Sequence, residues 1–140
     1  MLDRQRQATE FTGGLEAATL KPWHVELIDG LIRKPRVLYF AYDTPDDREP
    51  LVVAARLMRE IGFNHQRVGC YVLVGYRDDT IADALRRLHL CIDLDIQPFA
   101  MLYNGHKKTV TAEWKELQNV YTRPARCKRR HKGQFGRFFR

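Results

Sequence analysis

Four apolar, β-prone runs recur along this chain about 30 residues apart, each followed by a helical pattern. They are Ala8–Thr12, Arg36–Tyr42, Arg67–Gly75 and Gln97–Tyr103. A spacing near 30 residues is the size of one β-α-β unit. The last three runs are almost continuously apolar, with Val-Leu-Tyr-Phe-Ala-Tyr in the second and Val-Gly-Cys-Tyr-Val-Leu-Val in the third. Strict alternation would mean one face in water, whereas continuous runs point to strands covered on both faces, as in parallel sheets. The expected fold class is α/β, with four β-α units of a parallel partial barrel and a basic C-terminal tail.

The helices between these runs are legible. Pro22 opens the first, a favoured first-turn position, and it extends to about Leu31. Pro50 opens the second, where Leu51, Ala54, Ala55, Met58 and Ile61 repeat at three and four until Gly62 stops it. The third carries Ile81, Ala84, Leu85, Leu88 and Ile92 on one stripe, with Arg86, Arg87 and His89 off it. Thr80 is placed to cap it, with Asp83 three residues on. The fourth, Thr111–Val120, spaces Trp114, Leu117 and Val120 by three, and Pro124 ends or kinks it. Parallel sheets of this order put function at the C-terminal ends of their strands. Those ends are residues 13–16, 43–47, 75–79 and 104–108, all rich in polar groups.

The formal charge of +7 belongs to the tail. Between Arg123 and Arg140 there are eight Lys or Arg and no acid, which leaves 16 basic against 17 acidic residues in the rest. The chain therefore divides into a nearly neutral domain, 1–122, and a basic tail, 123–140. Cys70, Cys91 and Cys127 lie 21 and 36 residues apart, a spacing that fits no metal site. An odd count without close pairs points to a reducing compartment. With no apolar leader at the N-terminus and no run of about 20 apolar residues, a cytoplasmic protein without a membrane span is expected.

The strand ends carry a resemblance. Phe11-Thr-Gly-Gly-Leu-Glu-Ala, Tyr39-Phe-Ala-Tyr-Asp-Thr-Pro-Asp-Asp, Cys70-Tyr-Val-Leu-Val-Gly-Tyr and Pro98-Phe-Ala-Met-Leu-Tyr stand in order between Thr9 and Pro124. Together they resemble the later strands of a bacterial and phage-associated group of radical S-adenosylmethionine (SAM) proteins. That family builds an incomplete barrel of six β-α units, and its first unit holds a [4Fe–4S] cluster on C-x3-C-x2-C. Three thiolates must reach one cluster, and no loop here offers them. The resemblance therefore implies the second half of such a barrel, inactive alone. A partner chain bearing the N-terminal half, or self-association, would complete it. The [4Fe–4S] cluster would come only with that missing half.

What the resemblance implies for SAM falls on two strand ends. The family's G-x-I-x-G-x-x-E along the adenine is matched by Tyr71-x-Leu73-x-Gly75-x-x-Asp78, with Tyr71 departing from the first glycine. Asp43 and Thr44 stand where the family places polar groups for the ribose hydroxyls. The implied cofactor-binding set is thus Asp43, Thr44, Leu73, Gly75 and Asp78.

Plainer readings compete with each of these. Gly75 also reads as a turn glycine. Asp43, Asp46 and Asp47 also read as a helix-capping acidic loop, which outweighs metal binding. Gly13-Gly14 lacks a phosphate-loop pattern. Cys70 and Cys91 read as inert core residues, while cations flank Cys127 and favour its thiolate. Of the histidines, only His106 falls on the expected functional rim. The tail interleaves Phe135, Phe138 and Phe139 with Arg126, Lys128, Arg129, Arg130, Lys132, Arg137 and Arg140. Cations attract phosphates and aromatic rings stack on bases. A non-catalytic α/β module binding nucleic acid through this tail is the alternative function, set against a tail that is merely solvated or folds back over the barrel opening. A third reading is an unrelated small α/β enzyme using Asp43 and its neighbours.

Overall fold

The structure, a computed structural model, describes residues 6–103 and 110–124. The elements alternate as β1 (Glu10–Leu15), α1 (Pro22–Gly30), β2 (Val37–Tyr42), α2 (Arg48–Glu60), β3 (Val68–Val74), α3 (Ile81–Asp93), β4 (Gln97–Leu102) and α4 (Ala112–Tyr121). The four strands form one sheet in the order β1-β2-β3-β4, and every pairing is parallel. The α/β class and the alternation follow the sequence reading. The rim loop 104–108 with His106, and the tail from residue 125 on with Cys127, lie outside the described residues. Among the described residues no helix is long and apolar enough to cross a membrane.

Two boundaries differ from expectation. Gly13, Gly14 and Leu15 belong to β1 and not to a loop after it. The register to β2 shifts between Phe11 and Leu15, and Gly14 turns the strand at φ +70°. An irregular strand of this kind tolerates glycine, because Gly accepts a positive φ without penalty. Helix α2 begins at Arg48, two residues before Pro50, after a 3₁₀ turn over Pro45–Asp47. Pro50 still sits in the first turn, where its missing N–H has no partner to lose.

One face of the sheet meets the helices. Leu38, Phe40, Tyr42, Val68, Cys70, Val72, Val74 and Ala100 bury there against Leu51, Ala54, Ala55, Met58, Ala84, Leu88 and Ile92. Crossovers between parallel neighbours are right-handed as a rule, so a consecutive strand order carries all the helices to one side. Among the described residues no helix layers the other face. It is lined by the alternate residues, Tyr39 of β2, Tyr71 of β3 and Phe99 of β4. The Tyr39 and Tyr71 rings stack at 4.7 Å, and Phe99 meets Tyr71 edge-on at 5.6 Å. The Tyr71 hydroxyl donates to the Thr12 carbonyl at 3.0 Å. Gly69 lies beneath Tyr39, where any Cβ would fall inside the ring's contact distance. The continuous apolar runs point to strands covered on both faces. Here the second cover is the strands' own aromatic side chains.

Candidate functional site at the strand ends

At the C-terminal ends of β2 and β3 a groove of about 810 Å³ opens, flanked by α3. Asp43, Thr44, Arg48, Tyr76, Arg77 and Asp78 are among its lining residues, and α3 adds Asp83, Arg86, Arg87, His89 and Asp93. Three of the five residues expected from the sequence, Asp43, Thr44 and Asp78, are therefore brought together. Leu73 and Gly75 do not line it.

The β2 loop is built around Asp47. Its Oδ2 accepts from the Asp43 amide at 2.9 Å, the Thr44 amide at 2.8 Å and the Thr44 hydroxyl at 3.2 Å. This is the capping role that an acidic loop before a helix invites. Asp47 and Thr44 thus spend their polarity on the loop, while among the described residues no hydrogen bond reaches the Asp43 carboxylate. Burial, and then the charge of Asp47, hold the Asp43 carboxyl above its ordinary value. A partly desolvated carboxylate without a donor is suited to accept from hydroxyls.

The β3 loop is built around a pair the sequence reading missed. The sequence places Arg87 off the apolar stripe of α3. Its guanidinium instead reaches back to the sheet, giving Asp79 two hydrogen bonds at 2.6 and 3.1 Å and the Leu73 carbonyl one at 3.0 Å. The Gly75 amide donates to Asp79 Oδ2 at 2.8 Å. The fork of an arginine suits two carboxylate oxygens at once. The only sequence signal was the eight-residue separation of Asp79 and Arg87, about two helical turns.

Gly75 has its own explanation. Its φ of +72° is a glycine conformation, and a Cβ added there would stand 2.9 Å from Leu102 Cδ1 and 3.6 Å from the Trp114 ring. The space beside Gly75 belongs to packing between β4 and α4, not to the groove. Leu73 alternates onto the aromatic face with Tyr71. Tyr71 fills that face between Tyr39 and Phe99.

Beyond Gly75 the chain turns sharply, with the Asp79 amide donating to the Tyr76 carbonyl at 3.1 Å. Arg77 takes φ +52° and its guanidinium lies 5.0 Å from the Tyr76 ring centre. Tyr76 and Tyr103 meet edge to face at 4.8 Å.

The described residues do not fit an iron–sulfur cluster. Cys70 and Cys91 are buried in the core. A hydrogen bond with Cys91, then burial, pushes the Cys70 thiol well above its ordinary range. Among the described residues no three His, Cys, Asp or Glu side chains gather as metal ligands. The tail cations Arg126, Lys128, Arg129, Arg130, Lys132, Arg137 and Arg140 lie outside the described residues. No family model matches the chain, and no curated protein or solved structure matches it.

Proposed function

We propose that the chain supplies the later β-α units of a radical SAM-type barrel and offers an adenosyl ligand the groove at the ends of β2 and β3. The observation that carries this reading is the strand order. A doubly wound sheet reverses direction at a switch point. A barrel runs through its strands consecutively, as β1-β2-β3-β4 do here. The earlier units, with the cluster loop, would stand in another segment or a partner chain. SAM brings an adenosyl group joined through a sulfonium to an amino acid.

The groove residues divide the work of holding such a molecule. The Asp43 carboxylate accepts from the ribose diol. Asp78 faces the cationic part of the ligand, and Arg48 faces its carboxylate. Thr44 and Asp47 keep the β2 loop in shape, and the Asp79–Arg87 pair does the same for the β3 loop. With only part of the barrel present, little of the ligand's surface is enclosed, and affinity depends on that enclosure. A Kd of about 1 mM is the expected order.

Backbone amide shifts during titration with SAM test this. Perturbation is expected at residues 43–48 and 75–79, and Asp43→Ala should abolish it. Perturbation centred elsewhere, or binding that the Asp43 variant leaves intact, would show that the site lies in another place.

A further inference from the structure

If the groove takes an adenosyl ligand, the next question is where its base rests. In the family pattern the adenine runs along the strand that β3 matches, on the side of the first glycine. That position is filled here by Tyr71, clamped between Tyr39 and Phe99 and tied to the Thr12 carbonyl. A base cannot lie where three rings already pack.

A different ring is available. Tyr76 lines the groove together with Asp43 and Thr44, and 38% of it is exposed. Tyr103 meets it nearly perpendicular, at 79°, and braces its orientation from the neighbouring strand. Over the ring lies the Arg77 guanidinium, held by a residue in the left-handed region. A guanidinium above an aromatic face occupies the position a nucleobase would take, since both are flat and both are drawn to the π surface. A non-glycine residue at positive φ stores strain, and such strain collects at ligand sites.

We propose that Tyr76 is the base-stacking platform of this groove, and that an adenine takes the seat now held by the Arg77 guanidinium. The proposal rests on the adenosyl reading above and adds to it the residue that selects a purine. Asp43 then meets the ribose and Tyr76 meets the base, from two adjacent loops of the same rim. Tyr103 holds the platform and does not touch the ligand.

Adenosine is the probe, titrated into the full chain and followed by proton NMR. Stacking moves the adenine H2 and H8 resonances upfield, which a merely structural role for Tyr76 would not produce. Tyr76→Leu is expected to weaken binding about tenfold and remove the upfield shift, while Tyr76→Phe keeps both. Arg77→Gly frees the ring and relaxes the backbone, so it should tighten binding about threefold. This second variant decides the matter if the leucine variant folds poorly. Unchanged affinity in Tyr76→Leu alongside a loss in Asp43→Ala would overturn the platform and leave the groove standing. Unchanged affinity in both, or no adenosine binding by the wild type, would overturn the groove as well. Weaker binding by Arg77→Gly would mean that the arginine holds the ligand, contrary to the proposal.

Discussion

Asp43 is held protonated longer in the folded chain than in the unfolded one, by burial first and by Asp47 second. The native state therefore binds the extra proton, and stability falls as pH rises from the ordinary value of 3.8 through the raised one. Asp43→Asn removes that ionisation. It should be more stable than the wild type at about pH 7, by less than about 1 kcal/mol because the group is largely solvated. The difference should vanish at about pH 3, where both side chains are neutral. Urea denaturation at the two pH values measures it, and a variant less stable than wild type at neutral pH would contradict it. At this scale the sequence was informative about residue type and silent about neighbours. It marked Gly75 and Gly69 as places without a side chain. It could not say that Leu102 and Trp114 crowd the first or that the Tyr39 ring covers the second.

Within single elements the sequence was most readable where periodicity sets burial. The stripe of α3 buries Ala84, Leu88 and Ile92 as its spacing requires, and Thr80 accepts the Asp83 amide at 3.1 Å as a cap. Strand β1 was misplaced because Gly-Gly reads as a loop until a neighbouring strand is there to make it a bulge. Least readable were contacts joining separate elements at the other end of the sheet. Asp95, only 3% exposed and at φ +59°, ends α3. It accepts from Arg59 of α2, and its Oδ1 lies 2.6 Å from His65 Nδ1. No pattern in sequence links positions 59, 65 and 95. Asp95→Ala leaves a guanidinium and an imidazole without this carboxylate, and a loss of about 2–3 kcal/mol is expected by denaturant unfolding. A loss below about 0.5 kcal/mol would show that the cluster is incidental.

For the molecule as a whole, the parallel consecutive sheet was legible from the 30-residue rhythm alone. The aromatic face, which no helix covers among the described residues, was not. An apolar run buried by a helix layer and one buried by its own tyrosines look alike in one dimension. The cysteines make a whole-molecule prediction. Cys70 and Cys91 lie inside the core, so anaerobic reconstitution with iron and sulfide should give no stoichiometric [4Fe–4S] absorbance. One cluster per chain, lost when the cysteines are replaced, would sink the assignment of the cluster to a missing half. The consecutive order has a consequence for how the chain acquires its shape. Strand pairing joins residues 25 to 30 apart, as with Leu15 and Phe40, Gly69 and Gln97, or Leu38 and Val68. Every pairing thus closes a loop of nearly the same length, and closure entropy varies only slowly with length. No strand must wait for a distant one. Assembly can start at β2 and β3 and spread outward, and a further unit could join at either edge without breaking any pairing among the described strands.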